Sequence, residues 1–333
     1  MAFIKKKLSL FLKITIPLYV LFLGFVLLGR NHFFLGSALI FGRWFYLMFS
    51  AYLMYRVAVR ECPNWIIKAV RISLILFILE WGWASVNKTS LDNDSTDTEL
   101  SLMSYNVFFK NRSPKGVIKT IKQADPDILV VQELTPQWKS ILGNSIGHDY
   151  RFRKLIPMRG THGIGIYSKH PIVAQTVCNN KSNRPFAQII ELKIQNKLIQ
   201  LINVHLASPG VAVENPDNFM ELYKNNYNTR ASQITVISKI VKKSETKFDA
   251  QILIGDLNTT SYEPIFRDAE KDWCDLNQKV GKKFNFTFPN SSKIDPLLTL
   301  DYIMLRGNVL PVKFKVLKSG TSDHFPIIGN IKI

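Results

Sequence analysis

Two kinds of apolar pattern divide this chain. Through 8–28, 33–55 and 65–86 hydrophobic side chains run almost without a break. At ~1.5 Å per residue each run is long enough to cross a bilayer core of roughly 30 Å. From Leu100 onward the apolar runs are short, β-branched and punctuated by polar residues, the pattern of strands alternating with helices. Strands are predicted at Leu100–Val107, Ile128–Val131, Gly163–Tyr167, Ala250–Ile254 and Leu300–Leu305. Ala187–Ile194 and Leu198–Val204 form a hairpin around Gln195-Asn196-Lys197. Helical spacing runs through Gly116–Ala124 and Phe219–Val241. The alternate glycines of the Gly163 strand suit close packing of two sheets. Pattern alone predicts an α/β or α+β domain.

The first region, 1–86, is expected to be a helical anchor of three spans. Pro17 is tolerable inside a lipid-embedded helix. Arg43 lies near the middle of the second run, and Lys68, Arg71 and Glu80 lie in the third. Glu80 is the only acidic residue in the three runs, so a buried Arg43 would take it as its partner. A cleaved signal peptide fits poorly, because no small-residue cleavage site follows the first run. Lys5–Lys7 and the cluster Arg56, Arg60, Lys68 and Arg71 put the N-terminus and the second link in the cytoplasm, which carries the C-terminal domain outside. If the third run lies on the membrane instead of crossing it, that domain is cytosolic. The polar stretch 87–99 reads as a flexible linker, followed by a catalytic domain at 100–333. No internal repeat is visible.

Composition sharpens this division. Of 43 basic and 25 acidic side chains, residues 1–89 hold eleven and two, leaving 32 and 23 for the remainder. A basic domain suits anionic partners: phosphate esters, nucleic acid or acidic lipid. The lysines are scattered, and a plain solvated surface reads equally well. The three cysteines, Cys62, Cys178 and Cys274, have no zinc spacing. Whether Cys178 and Cys274 pair is left open.

The chemistry concentrates in short polar motifs at the ends of apolar runs, where strands hand over to loops. These are Asn106 in SYNV, Glu133 in VVQEL, His205 in INVHL, Asp256 and Asn258 in LIGDLN, Asp301 in LDYI, and Asp323 and His324 in SDHFP. Taken singly, each has a bland reading: GDLN makes an Asx turn readily, and a lone carboxylate is a loop residue or a cap. Together, several carboxylates, two imidazoles and two amides can hold a hard divalent cation and move protons beside it. Arg184 could clamp a phosphate bidentately or be a surface charge. Arg230 and Gln233, one turn apart on the long helix, read as structural. The segment Ala207–Tyr227 reads as a substrate loop, whose Phe219, Met220, Tyr223 and Tyr227 either stack on substrate or form a buried helix face.

This series of motifs, from about Leu100 to Ile333, resembles the endonuclease/exonuclease/phosphatase (DNase I-like) superfamily. The resemblance implies a four-layer α/β sandwich, two packed β-sheets flanked by helices, here preceded by the transmembrane region. It implies Mg²⁺, with Mn²⁺ as a substitute, on Glu133 with Asn106 and Asp323 beside it. It implies that Asp256 orients or deprotonates the attacking water, that Asn258 holds the phosphate, and that His205 contacts the scissile phosphate or its leaving oxygen. Asp301 and His324 are implied as a carboxylate–imidazole pair. The expected activity is metal-dependent phosphodiester hydrolysis at the membrane. The substrate is a lipid headgroup, nucleotide or nucleic acid, and no protein partner is implied. The alternatives are a nuclease acting on extracytoplasmic DNA or RNA, and a non-catalytic, membrane-anchored binding module with the same fold.

Overall fold

The computed structural model describes residues 98–333, apart from 282–284 and 292. The three apolar runs and the proposed linker up to residue 97 lie outside the described residues. Among the described residues no helix is long and apolar enough to cross a membrane. Two residues expected in the linker already belong to the folded domain: Glu99 pairs with Lys332, and the Thr98 and Ile333 backbones exchange two hydrogen bonds of 3.1 Å.

Among the described residues, twelve strands form two six-stranded sheets. The first contains β1 (Glu99–Asn106), β2 (Ile128–Gln132), β3 (Phe152–Ile156), β4 (Ile164–Ser168), β11 (Leu310–Val316) and β12 (Ile327–Lys332), in the order β11-β12-β1-β2-β4-β3. The second contains β5 (Ile172–Asn179), β6 (Pro185–Ile194), β7 (Lys197–His205), β8 (Ala250–Asp256), β9 (Cys274–Asp275) and β10 (Asp301–Gly307), in the order β5-β6-β7-β8-β10-β9. Each sheet is mixed: β1–β2 and β7–β8 are parallel and the other pairs antiparallel. The helices are α1 (Pro114–Ala124), α2 (Pro136–Ile146), the short α3 (Gly210–Val213), α4 (Phe219–Lys243), α5 (Pro264–Glu270) and α6 (Leu276–Val280).

Strand alternation explains the core. On β1 and β2, Leu100, Leu102, Ile128 and Val130 join Ile199, Leu201, Ile252, Ile254 and Ile303 of the second sheet in one buried cluster. The intervening Met103, Tyr105, Leu129 and Val131 pack with Val117 and Ile121 of α1 and Trp138 and Leu142 of α2. Both faces of the first sheet are therefore covered, which is why its strands read as near-continuous apolar runs. Gly163 and Gly165 serve a different contact from the one expected. A Cβ on Gly165 would meet the Leu134 and Leu155 side chains, and one on Gly163 would run into the Leu134 carbonyl. They make room on the helix side, not between the sheets.

Going along the sheet interface toward the C-terminal end of β1, the chemistry changes in steps. The aliphatic cluster gives way to a buried amide layer. There Gln132 Nε2 donates to Asn203 Oδ1 (2.8 Å), Ser104 Oγ reaches Gln132 Oε1 (3.3 Å), and Asn203 Nδ2 and Gln188 Nε2 donate to the Gly165 and Lys154 carbonyls (3.1 and 3.0 Å). The Ser104 bond lies within the first sheet; the other three cross between the sheets and fix their register where apolar packing alone would let them slide. One strand position further on, the ionisable residues begin.

Cys178 and Cys274 are free. They stand on β5 and β9, the opposite edges of one sheet. Five inter-strand steps of ~4.8 Å separate them, far beyond disulfide reach.

Candidate active site

His205, Asp256 and Asp301 occupy one rank across three strands, with His205 opposite Asp256 and Asp256 opposite Asp301. They share the parity of Ile199, Ile252 and Ile303 and so face the other sheet. Asn106, at the end of β1, faces them with the parity of Leu100 and Leu102. Its Nδ2 donates to Asp256 Oδ2 at 3.2 Å and to Glu133 Oε1 at 3.3 Å, tying both sheets together at the rank.

Alternation would aim Glu133 away from this rank, because Gln132 already points between the sheets. Glu133 adopts φ 59, in the left-handed region, which breaks the alternation and turns its carboxylate to Asn106. A non-glycine residue held there is strained and persists only when its surroundings over-determine it. The Phe109 amide donating to Glu133 Oε2 at 2.8 Å supplies part of that constraint. Burial raises the Glu133 pKa, and neighbouring Asp323 raises it further, against the lowering effects of His205 and the Phe109 amide. Asp323 is itself raised, chiefly by burial.

Asp256 is buried, and that burial raises its pKa while His324 and His205 pull it down. The Asn258 amide donates to Asp256 Oδ1 at 2.8 Å, closing the Asx turn that the GDLN motif suggests. The Asn258 side-chain amide donates to the Leu206 carbonyl at 3.0 Å. That leaves its Oδ1 and one N–H for a ligand. Gly255, at φ 143, lies against the Val204 backbone, where a Cβ would clash.

His324 Nδ1 and Asp301 Oδ2 are 2.9 Å apart. The ring's Nε2 lies 3.7 Å from Asp256 Oδ2, and His205 Nε2 approaches the same oxygen at 3.7 Å. Burial disfavours the charged ring of His324, but Asp301 and Asp256 outweigh it and raise the pKa to about 10. The imidazolium is the resting form at neutral pH.

Among the described residues, Asp256, Asp301 and His324 are a trio whose donor atoms lie within 4.8 Å of one another, which makes them possible metal ligands. The Asp301–His324 bond already occupies one atom of each. Glu133 and Asp323 are a second pair of carboxylates whose charge is disfavoured, Glu133 by burial and by Asp323, and Asp323 chiefly by burial.

Eight of the nine candidate residues thus gather at one end of the sheet interface, and Arg184, exposed just before β6, is hydrogen-bonded to none of them but to His162. Arg230 and Gln233 prove to be a clamp: Arg230 Nη1 donates to the Ala207 carbonyl (3.2 Å) and Gln233 Oε1 accepts from the Ala207 amide (3.0 Å). That peptide follows His205 and Leu206. Sequence reasoning gave no role to Ser322, whose Oγ donates to the Asn106 carbonyl at 2.6 Å, nor to Phe288, whose ring lies 4.9 Å from that of His324. The SDHFP motif contained Ser322. Phe288 had only the Thr-Phe-Pro string to mark it.

Residues 103–324 match the sequence profile of the Endonuclease/Exonuclease/phosphatase family. The chain belongs to this family. Endonuclease/exonuclease/phosphatase proteins are typically metal-dependent phosphoester hydrolases. Solved structures with the same fold include TDP2 from D. rerio in complex with a single-stranded DNA product, at 20% identity and TM-score 0.56, covering 71% of this chain and 100% of that one. A second is beta toxin from Staphylococcus aureus, at 18% identity and TM-score 0.55, covering 69% and 99%. A third is an endonuclease/exonuclease/phosphatase family protein from Bacteroides thetaiotaomicron, at 16% identity and TM-score 0.54, covering 72% and 99%. At these identities the likeness is one of fold. No functionally curated protein matches the chain.

Proposed function

We propose that this protein is a Mg²⁺-dependent phosphodiesterase tethered to the membrane. The reading is carried by one arrangement: Asn106 bonded at once to Glu133 and Asp256, with a protonated His324 held between Asp256 and Asp301. Glu133, with Asn106 and Asp323 beside it, would hold the cation, which when bound supplies charge stabilisation at a phosphoryl oxygen. Mn²⁺ would substitute.

The chain's own residues do the rest. Asp256 is a carboxylate of raised pKa, which suits it to orient a water and take its proton. Its Oδ1 is held by the Asn258 amide and its Oδ2 by Asn106 Nδ2, which fixes the orientation of the carboxylate. His324, charged and oriented by Asp301, and His205 present N–H donors toward negative charge building on the phosphoryl oxygens. Asp301 fixes the ring orientation and keeps its Nδ1 protonated. No covalent intermediate on the enzyme is needed.

The tether rests on the three apolar runs, and its orientation on the Lys/Arg distribution, which puts this domain outside the cytoplasm. The test of function is a hydrolysis panel on the full chain with a chromogenic phosphodiester, plasmid DNA, RNA, sphingomyelin and phosphoinositides. Turnover with Mg²⁺ or Mn²⁺ and none in EDTA is expected. Full activity in EDTA, or no hydrolysis of any phosphoester with either metal, would overturn the reading.

A further inference from the structure

Within electrostatic reach of His205, two basic residues are held against each other. Arg184 Nη1 lies 3.1 Å from His162 Nε2. They come from different sheets. His162 precedes Gly163, whose carbonyl accepts from the Leu134 amide at 2.9 Å, one residue after Glu133. Arg184 precedes β6, whose Ala187 pairs with Val204 of β7, so it stands beyond the His205 end of the neighbouring strand. Its own peptide is pinned by Asn180, which accepts from the Arg184 amide through Oδ1 (3.0 Å) and donates its amide to the Arg184 carbonyl (2.8 Å). The pair thus bridges the sheets at the mouth of the cleft, between Glu133 and His205.

Among the described residues neither side chain has a carboxylate partner. Arginine can only donate, so His162 Nε2 accepts and its Nδ1 carries the proton. Burial, then Arg184 and His205, hold the His162 pKa below its usual value, in keeping with a neutral ring. What remains is the imidazole Nδ1–H and the unused guanidinium N–H groups. These are donors without an acceptor, in a positive field.

We infer that His162 and Arg184 form a second phosphate subsite, which makes the substrate a phosphodiester with a further phosphate beside the scissile one, as in a nucleic-acid strand. This rests on the phosphodiesterase reading above and narrows it. A zwitterionic lipid headgroup would instead bring a quaternary ammonium near the guanidinium, which repels it.

The probe is thymidine 3′,5′-bisphosphate, set against thymidine 3′- and 5′-monophosphates, in equilibrium binding to the full chain. Hydrogen bonds to charged groups predict that the bisphosphate binds at least about tenfold more tightly than either monophosphate. That preference should fall to near unity in Arg184→Gln and by severalfold in His162→Gln. Arg184→Lys, which keeps the charge, should restore part of it. In turnover, the preference for the dinucleotide pTpT over TpT should fall in the same variants. A bisphosphate preference absent from the unmodified chain, or unmoved in both variants, overturns the subsite. Preferred hydrolysis of sphingomyelin without a bisphosphate preference does so too, and leaves phosphodiesterase activity standing. Bisphosphate preference without any hydrolysis strikes the activity and leaves the subsite.

Discussion

His324 carries its charge because two carboxylates outweigh its burial, and that makes it testable by pH. Its folded pKa, about 10, lies above the ordinary value of 6.5. The folded state therefore binds the extra proton between these values, and stability contributed by the charged ring is complete below ~6.5 and lost as pH rises toward 10. The Tm should decline between pH 7 and pH 9, with a visibly smaller slope in His324→Gln. A slope identical in the two proteins would contradict the placement of the charge. In turnover, Asp301→Asn and His324→Ala should each lose at least ~10², yet the double variant should be little worse than His324→Ala, because paired groups act as a unit. Multiplicative losses would mean the pair does not function as one. Glu133 yields a prediction of opposite flavour. Glu133→Gln removes a buried, destabilised charge, so the metal-free protein should be as stable as the parent or more so, while losing orders of magnitude in activity and the Tm rise that Mg²⁺ gives the parent. An undiminished Mg²⁺ shift would move the cation to the Asp256–Asp301–His324 trio. These residues were legible one by one from their place after apolar runs. The family resemblance also implied the Asp301–His324 pair and Asn106 beside Glu133, but not how Glu133 gets there, since its turn depends on a left-handed φ that neither VVQEL nor any propensity for glutamate announces.

At the scale of elements, the amide layer and the α4 clamp hold the ionisable rank in place. Asn203→Leu should cost about 1–3 kcal/mol in denaturant titration, because it strands the Gln132 amide in the interior. Adding Gln132→Leu should recover part of that loss, since removing both partners costs less than orphaning one. A double variant less stable than the sum of the singles would show that the layer is not a paired network. The helix α4, the β6–β7 hairpin and strands β1, β2, β8 and β10 were visible in the hydrophobic pattern within a few residues. Strands β3, β5, β11 and β12 and helix α2 escaped it. β3 and β5 are mostly half-buried or exposed, with burial too irregular to leave a clean period of two. The loop after His205 divides between the two expectations: Tyr223 is buried with its ring stacked on Phe219 at 5.7 Å, while Met220 stays exposed.

In the whole molecule, the two sheet orders are one order written twice. Placing β11 and β12 ahead of β1 turns β11-β12-β1-β2-β4-β3 into the counterpart of β5-β6-β7-β8-β10-β9. Each half has a hairpin, a parallel pair joined through helical structure, and a short edge strand. No sequence repeat betrays this, because backbone pairing can repeat without side chains doing so. The proposed tether belongs to this scale as well: a reporter that works only outside the cytoplasm should be active when fused after Ile333, and activity of a cytoplasm-only reporter there would reject the three-span topology. The closure of the first sheet has a further consequence, one of timing. Chains are made from the N-terminus, so β1 must wait with one edge bare until β12 arrives to pair with it, while the second sheet has all six of its strands in hand once β10 is out. Asp256 and Asp301 can thus be in position on the ribosome, but His324 enters only on the loop leading into β12. The candidate site therefore stays incomplete until the segment leading into β12 has been made.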